Sequence, residues 1–393
     1  MGSFRSDLRS VIASSEMTTA GERPRIIAPV AKARKYVYNP VSFRTPLIRG
    51  ANMKRLGRIV LYVAIALVAL LPVAITFTIG WRPFIGPRMR PVTDRRFAST
   101  PARLERGRYL VTSLNGCFAC HSERDGSEPG APPKIGREGA GKLFLSDPGL
   151  GTLFAPNITP DTETGLGNWS DDEIARAVRE GVGRTGRALF PIMPYANYRH
   201  MSDEDLASVI VYLRSVPAVR NIAGTSHINF PINRLIMALP EPVTAPVGEP
   251  DVSTQRARGQ HLVEQASCAD CHSPQNAMGQ RIAGLEFGGG NAIDSSNGKP
   301  VTALNITPDP SGIPYYDETT FINTMRAGQI GARKLDSAMP WGFYRNLTDD
   351  DLKAIWAFIH TLPPASHHVD NSTPPTMCRL CGYSHGLGDT NAQ

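Results

Sequence analysis

All six cysteines of the 393-residue chain fall into Cys-x-x-Cys pairs: Cys117/Cys120, Cys268/Cys271 and Cys378/Cys381. His121 and His272 stand directly after the first two pairs. Two thiols and an imidazole at this spacing suit a metal knuckle, a thiol–disulfide pair or a covalent haem anchor. A structural zinc site needs four ligands. Each of these stretches offers three, and the next pair lies about 150 residues away. A redox pair uses the thiols and leaves the histidine without a task. Haem attachment uses all three groups: the thiols add across the two vinyl groups and the histidine lies under the iron.

The opposite axial position then needs a donor. Met193-Pro194-Tyr195 and Met339-Pro340-Trp341 occupy matching places downstream, and a methionine thioether is soft and neutral. Proline stiffens the loop behind each sulfur. The predicted ligand pairs are His121/Met193 and His272/Met339, giving two covalent haem c groups. Met201 abuts a capped helix and Met325 lies in a helical run, so both read as packing residues.

The match extends along an internal repeat. Arg106-Gly-Arg-Tyr-Leu-Val111 precedes Cys117, and Arg258-Gly-Gln-His-Leu-Val263 precedes Cys268. Asn157-Ile-Thr-Pro-Asp161 recurs as Asn305-Ile-Thr-Pro-Asp309, and Ser202-Asp-Glu-Asp-Leu206 as Thr348-Asp-Asp-Asp-Leu352. One helical module therefore occurs twice. Ser170 to Glu173 forms a capping box, and Ser202 and Thr348 cap the last helix of each copy. Leu206, Val209, Ile210 and Leu213, then Leu352, Ile355, Trp356 and Ile359, fall at helical spacing and predict one buried face. Gly107 and Gly259 are expected where the first and last helices cross closely. The expected fold is all-α, with two tandem domains at 99–218 and 253–365. A Pro-rich linker is expected at 219–252, with Asn229–Met237 packed against a module, and a C-terminal tail at 366–393. The Gly- and Pro-rich stretch 123–153 reads as a surface excursion, and 284–293 as the place for a short hairpin.

The formal charge of +7 is uneven. Residues 1–58 carry 12 Lys and Arg against 3 Asp and Glu, and the rest of the chain carries 30 against 32. No basic, aromatic-interleaved surface follows, which excludes nucleic-acid binding as a leading function. Residues 59–81 contain no charge and suffice for one transmembrane helix. Lys54, Arg55 and Arg58 precede it, placing the N-terminus inside and both modules outside, in the periplasm of a bacterial inner membrane. Residues 1–58 read as a basic, disordered cytoplasmic tail; Met53 is also a natural start for the anchor. Covalent haem attachment in bacteria happens on that outer side, so the anchor and the haem reading agree.

The strings NITPDTETGLGNWSDDEIARAVREGV, MPY and SDEDLASVIVYLRS resemble membrane-associated, multi-haem class I cytochromes c. They are similar in particular to the cytochrome subunits of periplasmic alcohol and gluconate dehydrogenases, over about 100–365. Such subunits typically have three haem sites; this chain shows two. The resemblance implies a small all-α fold around a six-coordinate haem that shuttles single electrons. The expected role is a membrane-tethered relay from a periplasmic dehydrogenase or quinol-linked complex to a soluble cytochrome or terminal oxidase, without substrate chemistry of its own. The alternative is a dihaem peroxidase or oxidase with one open iron position. Asn157 and Asn305 read either as bordering the haem or as turn formers, and Arg187 either as pairing with a haem propionate or as solvated. His200, His227, His261 and His360 read as surface or packing residues. Cys378-Arg-Leu-Cys381 is followed by glycine. It admits a disulfide, a metal site with His385 and His367 or His368, or a non-standard haem.

Overall fold

The computed structural model describes residues 51–276, 279–295 and 300–391, so residues 1–50 of the tail read at 1–58 lie outside the described residues, while 51–58 are helical. Helix α1 spans Ala51–Phe77, about 40 Å at ~1.5 Å per residue. The most apolar 18 residues within Met53–Phe77 have a mean hydropathy of 2.7 and none of them is buried, and among the described residues this is the one helix long and apolar enough to cross a membrane. The helix starts before the charge-free run at 59–81 and stops short of its end. Gly80 takes a left-handed φ of 68°, and the chain restarts as the short α2 (Arg82–Ile85) with Pro83 in its first turn. Pro72 sits inside α1, and Thr76 Oγ1 donates to its carbonyl at 2.8 Å.

Residues 67–393 form one compact unit, in which the same helical order occurs twice. The first copy opens with α3 (Pro101–Tyr109), continues through a π-helical turn at Leu110–Leu114, and reaches α4 (Cys117–His121). It continues with α5 (Asp171–Glu180), α6 (Tyr195–Tyr198) and α7 (Asp203–Ser215). After the short α8 (Ile232–Leu235), the second copy runs α9 (Gln255–Gln265), α10 (Cys268–His272), α11 (Glu318–Ala327), α12 (Trp341–Tyr344) and α13 (Asp349–Ile359). The caps form as expected. Ser170 Oγ accepts from Glu173 N at 3.1 Å while Glu173 accepts from Ser170 N at 2.8 Å. Ser202 and Thr348 each accept from the amide three residues on, at 3.1 Å.

The first helix of each copy crosses the last at its glycine. A Cβ on Gly107 would overlap the Ser208 carbonyl, and one on Gly259 the Ala354 carbonyl. Beside each crossing an ion pair repeats: Arg106 grips both oxygens of Asp205 at 2.7 and 2.8 Å, and Arg258 donates twice to Oδ1 of Asp351, at 2.8 and 2.6 Å. Leu206, Ile210 and Leu352 are 0–1% exposed, and one contiguous apolar cluster runs through both copies. Burying each such side chain contributes about 1.5–3 kcal/mol.

The fold is not purely α. Strands β1 (Lys142–Asp147) and β2 (Gly151–Ala155) pair antiparallel, with a register shift between Leu143 and Leu145. Ala131, Ala140 and Leu153 are buried, so 123–153 is in part structural and not a mere surface excursion. Strand β3 (His227–Ile228), from the Pro-rich segment, adds to β2 as a third strand. That segment also bonds back at Asn229, which reaches the carbonyls of Pro148 and Gly149 at 2.9 and 3.1 Å. The second copy holds β4 (Ala292–Asp294) against β5 (Pro300–Thr302), a hairpin that starts near the end of the expected 284–293 stretch and runs past it. The pair β6 (Gln329–Ile330) and β7 (Arg333–Lys334) follows. The tail folds as β8 (Pro375–Met377) against β9 (Ser384–Gly386).

Residues 90–97 strap onto the first turn of α5. Arg90 reaches both Asp172 oxygens at 2.6 and 2.8 Å and Glu180 at 2.7 Å, and the Thr93 amide donates to Asp172 at 2.7 Å. Burial opposes the charge on Asp172, yet the bonds from Arg90 and Thr93 outweigh it and hold the carboxyl below its ordinary value of 3.8. A depressed carboxyl stabilises the fold above its unfolded value and loses that contribution as pH falls through the folded one. Loss of the Asp172 contribution is therefore expected to raise protease cleavage within 90–97 as pH falls below about 4. Asp172→Asn should show the raised cleavage already at neutral pH.

Candidate functional site

The two Cys-x-x-Cys-His helices are built alike. Each is preceded by a residue in left-handed conformation, Gly116 (φ 54°) and Ser267 (φ 57°), which turns the chain sharply into the short helix. His121 Nδ1 lies 2.8 Å from the Pro156 carbonyl, and His272 Nδ1 lies 2.8 Å from that of Leu304. An Nδ1–H donor at that carbonyl fixes the tautomer and leaves the Nε2 lone pair as the ligand. Desolvation lowers both imidazole pKa values, which favours the neutral, ligating form.

The accepting carbonyls are held by the Asn-Ile-Thr loops. Asn157 Oδ1 accepts from the Thr159 amide and hydroxyl at 2.9 and 2.7 Å, and its Nδ2 donates to Val219 O at 2.7 Å. Asn305 does the same with Thr307 at 2.9 and 2.8 Å and with Ala365 O at 2.7 Å. Both asparagines are thus buried staples that tie the loop behind each histidine to the chain leaving the last helix. Gly141 and Gly289 complete the arrangement: their amides donate to the His121 and His272 carbonyls at 2.7 Å, in left-handed conformations.

Desolvation pushes Cys117 and Cys268 up to about 12, helped by the neighbouring thiol, and Cys271 up to about 11. A redox pair works through a thiolate of depressed pKa, so these sites are not set up for thiol–disulfide exchange. Met193 and Met339 are half-buried against the common core, at the turn before α6 and α12. Their carbonyls accept from Tyr195 N and Trp341 N at 2.8 Å. Met201 and Met325 are 1% and 5% exposed and are packing residues. Arg187 is exposed, as its solvated reading expects.

Three features escaped the sequence reading. Tyr198 and Tyr344, at matching positions, donate to the carbonyls of Asn115 and Ala266 at 3.1 and 2.9 Å and so clamp the chain just before each cysteine helix. The Tyr195 hydroxyl and the Trp341 Nε1 are buried without a hydrogen-bond partner among the described residues. A buried donor is costly to leave unpaired, by about 1–3 kcal/mol. Both orphans follow a Met-Pro pair, where the acidic edge of a porphyrin would accept from them, so the residues present fit that group. The third feature is the junction between copies. Asn197 Nδ2 donates to Ser267 Oγ at 2.9 Å and Asp270 Oδ2 at 2.8 Å, and Arg124 reaches Ser337 O at 3.1 Å. Each copy's methionine turn thereby packs beside the other copy's cysteine segment. Only the paired repeats Tyr195/Trp341 and Tyr198/Tyr344 hinted at the first two in sequence.

The sequence model of the cytochrome c family matches residues 104–217 and 256–363, more than half of the chain. The chain belongs to the cytochrome c family. A nicotinate dehydrogenase subunit from Pseudomonas putida is 36% identical over 78% of this chain and 25% of its own length. The gluconate 2-dehydrogenase cytochrome c subunit of Pantoea cypripedii is 32% identical over 66% of this chain and 60% of its own. A diheme cytochrome c-type protein of Cereibacter sphaeroides is 26% identical over 70% of this chain and 91% of its own. The chain thus spans a quarter of the first relative and about three fifths of the second. Haem c is the cofactor of this cytochrome, and electron transfer is its role.

Proposed function

We propose that the chain is a dihaem relay tethered to the periplasmic face of a bacterial inner membrane by α1. It takes electrons from a periplasmic dehydrogenase or quinol-linked complex and passes them to a soluble cytochrome or terminal oxidase. The observation that carries this reading is the duplication: each Cys-x-x-Cys-His helix has its histidine aimed by a backbone carbonyl and a Met-Pro turn on the same core. The domains proposed are 99–218 and 253–365, joined by 219–252. Cys117 and Cys120, then Cys268 and Cys271, hold the two macrocycles. His121 with Met193, and His272 with Met339, would ligate the two irons. Each haem, when bound, supplies one-electron Fe(III)/Fe(II) chemistry. Histidine–methionine ligation favours a higher potential than two histidines. The Asn197–Asp270 and Arg124–Ser337 bonds hold the two sites at a fixed separation, which suits transfer from one to the other. The relatives' names support a dehydrogenase donor.

Intact-mass analysis of the chain matured in a host competent for cytochrome c assembly tests this. Two covalent haem adducts are expected, together with a pyridine haemochrome spectrum of the c type. The Cys117→Ser/Cys120→Ser variant should carry one adduct. A bare polypeptide mass from such a host would overturn the reading.

A further inference from the structure

The third cysteine pair is not used by either haem site. Cys378 and Cys381 stand at the tip of the β8–β9 hairpin, in a knuckle where Gly382 N donates to Cys378 O at 3.0 Å and Cys378 N to Tyr383 O at 2.8 Å. His385 lies on β9, and His367 comes in from the segment after α13. The four ligand atoms all lie within 4.8 Å of one another, and all four residues are buried. His367 Nε2 sits 3.4 Å from Cys378 Sγ, and His385 Nε2 sits 3.4 Å from Cys381 Sγ. His368, the other candidate from the sequence, is exposed and outside the cluster.

The geometry points to a structural Cys2His2 zinc site formed by His367, Cys378, Cys381 and His385. Tetrahedral zinc at ~2.3 Å from sulfur and ~2.0 Å from nitrogen puts S and N about 3.5 Å apart, close to the spacing here. The remote nitrogens are already engaged: His367 Nδ1 is 2.9 Å from Gly288 O and His385 Nδ1 is 3.0 Å from Gly386 O. Those carbonyls fix the tautomer that presents Nε2 to an ion. Two thiolates balance a divalent cation, so the filled site is neutral, as burial at 0–5% exposure beside Leu285 demands. A disulfide would use the sulfurs and leave two buried imidazoles aimed at them without purpose. A third macrocycle does not fit. A Cβ added at Gly290 would already meet His367 Cε1 at 2.8 Å.

The ion would rivet the tail to the second haem module. The His367 amide donates to Ser311 at 3.0 Å, and its imidazole holds Gly288, next to the Gly289 amide that bonds the His272 carbonyl. The site is independent of the haem assignment, and so is its test. Full-length protein purified in detergent and metal-free buffer is expected to hold one zinc per chain by elemental mass spectrometry, against protein quantified by amino-acid analysis. Cys378→Ser and His385→Gln should each lose at least nine tenths of it. Stripping the metal with a strong chelator should raise tryptic cleavage at the exposed Arg379 more than tenfold. A metal-free protein with a Cys378–Cys381 disulfide on peptide mapping overturns the proposal. So does a third haem, non-haem iron in place of zinc, or zinc retained by Cys378→Ser. The wild-type metal content decides the matter if either variant fails to fold.

Discussion

Replacing Met193 or Met339 with alanine is expected to turn a reduced protein that ignores carbon monoxide into one that binds it at the altered site. Both side chains sit on turns fixed by a following proline and by a 2.8 Å bond from the next aromatic residue's amide to the methionine carbonyl. The backbone should therefore stay in place when the thioether is removed. Each methionine is only half-buried, so the packing loss should be near the low end of the ~2–5 kcal/mol for a buried methionine. The midpoint potential of the altered site is expected to fall by on the order of 0.1–0.3 V, out of the ~0.8 V that axial ligands span. Visible spectra under carbon monoxide and a potentiometric titration read both effects. The wild type separates the competing reading, since a dihaem peroxidase keeps one iron position open and would bind the gas unmutated. Met201→Leu serves as the control and should change neither measurement. If both alanine variants remain closed to carbon monoxide, the methionines are not the ligands.

What could be read from sequence was whatever the duplication repeated. His121 and His272, the Asn-Ile-Thr loops, the capped last helices and the crossing glycines each appear twice at nearly constant spacing, and each lies where the pattern placed it. Features without a repeat were harder to see. The β1–β2 hairpin carries a register shift between Leu143 and Leu145 that breaks the period-two signal a strand normally shows. Its third strand comes from a segment whose prolines point to an extended linker. The Arg90–Asp172 strap joins residues 82 positions apart, and no local pattern encodes such a contact. His367 was one of two adjacent candidates for the third cysteine pair. Only the fold shows that His367 turns inward while His368 faces solvent. The ends of α1 moved for a local reason: polar Ala51–Arg58 continues the helix, and Gly80 ends it before Trp81.

Gly259→Ala is expected to be the most damaging single methyl addition in the second copy, with Gly107→Ala its counterpart in the first. At Gly259 the new Cβ overlaps the Ala354 carbonyl and meets Phe358 Cβ at 3.0 Å, so neither neighbour is a flexible chain end that can move aside. Helices α9 and α13 must separate, and the apolar faces that each presents to the core go with them. A cost on the order of 3–5 kcal/mol is expected, above ordinary overpacking because the clash is with backbone. That is a large part of the ~5–15 kcal/mol holding a typical domain folded. Thermal unfolding of the holoprotein should show it as a drop of ~10–20 °C. The separation has a second signature across the two copies. Tyr109, on α3, donates its hydroxyl to Asp351 on α13, the same carboxylate that Arg258 grips. Burial, then that carboxylate, pushes the Tyr109 hydroxyl up to about 12, so it remains a donor throughout the working pH range. In the wild type, Tyr109→Phe should cost about 1–2 kcal/mol, because it leaves a buried carboxylate short of one donor. In the Gly259→Ala background α13 has moved and the same change should cost almost nothing. A double-mutant cycle measures that difference. Simple additivity would mean that the alanine is accommodated without moving α13.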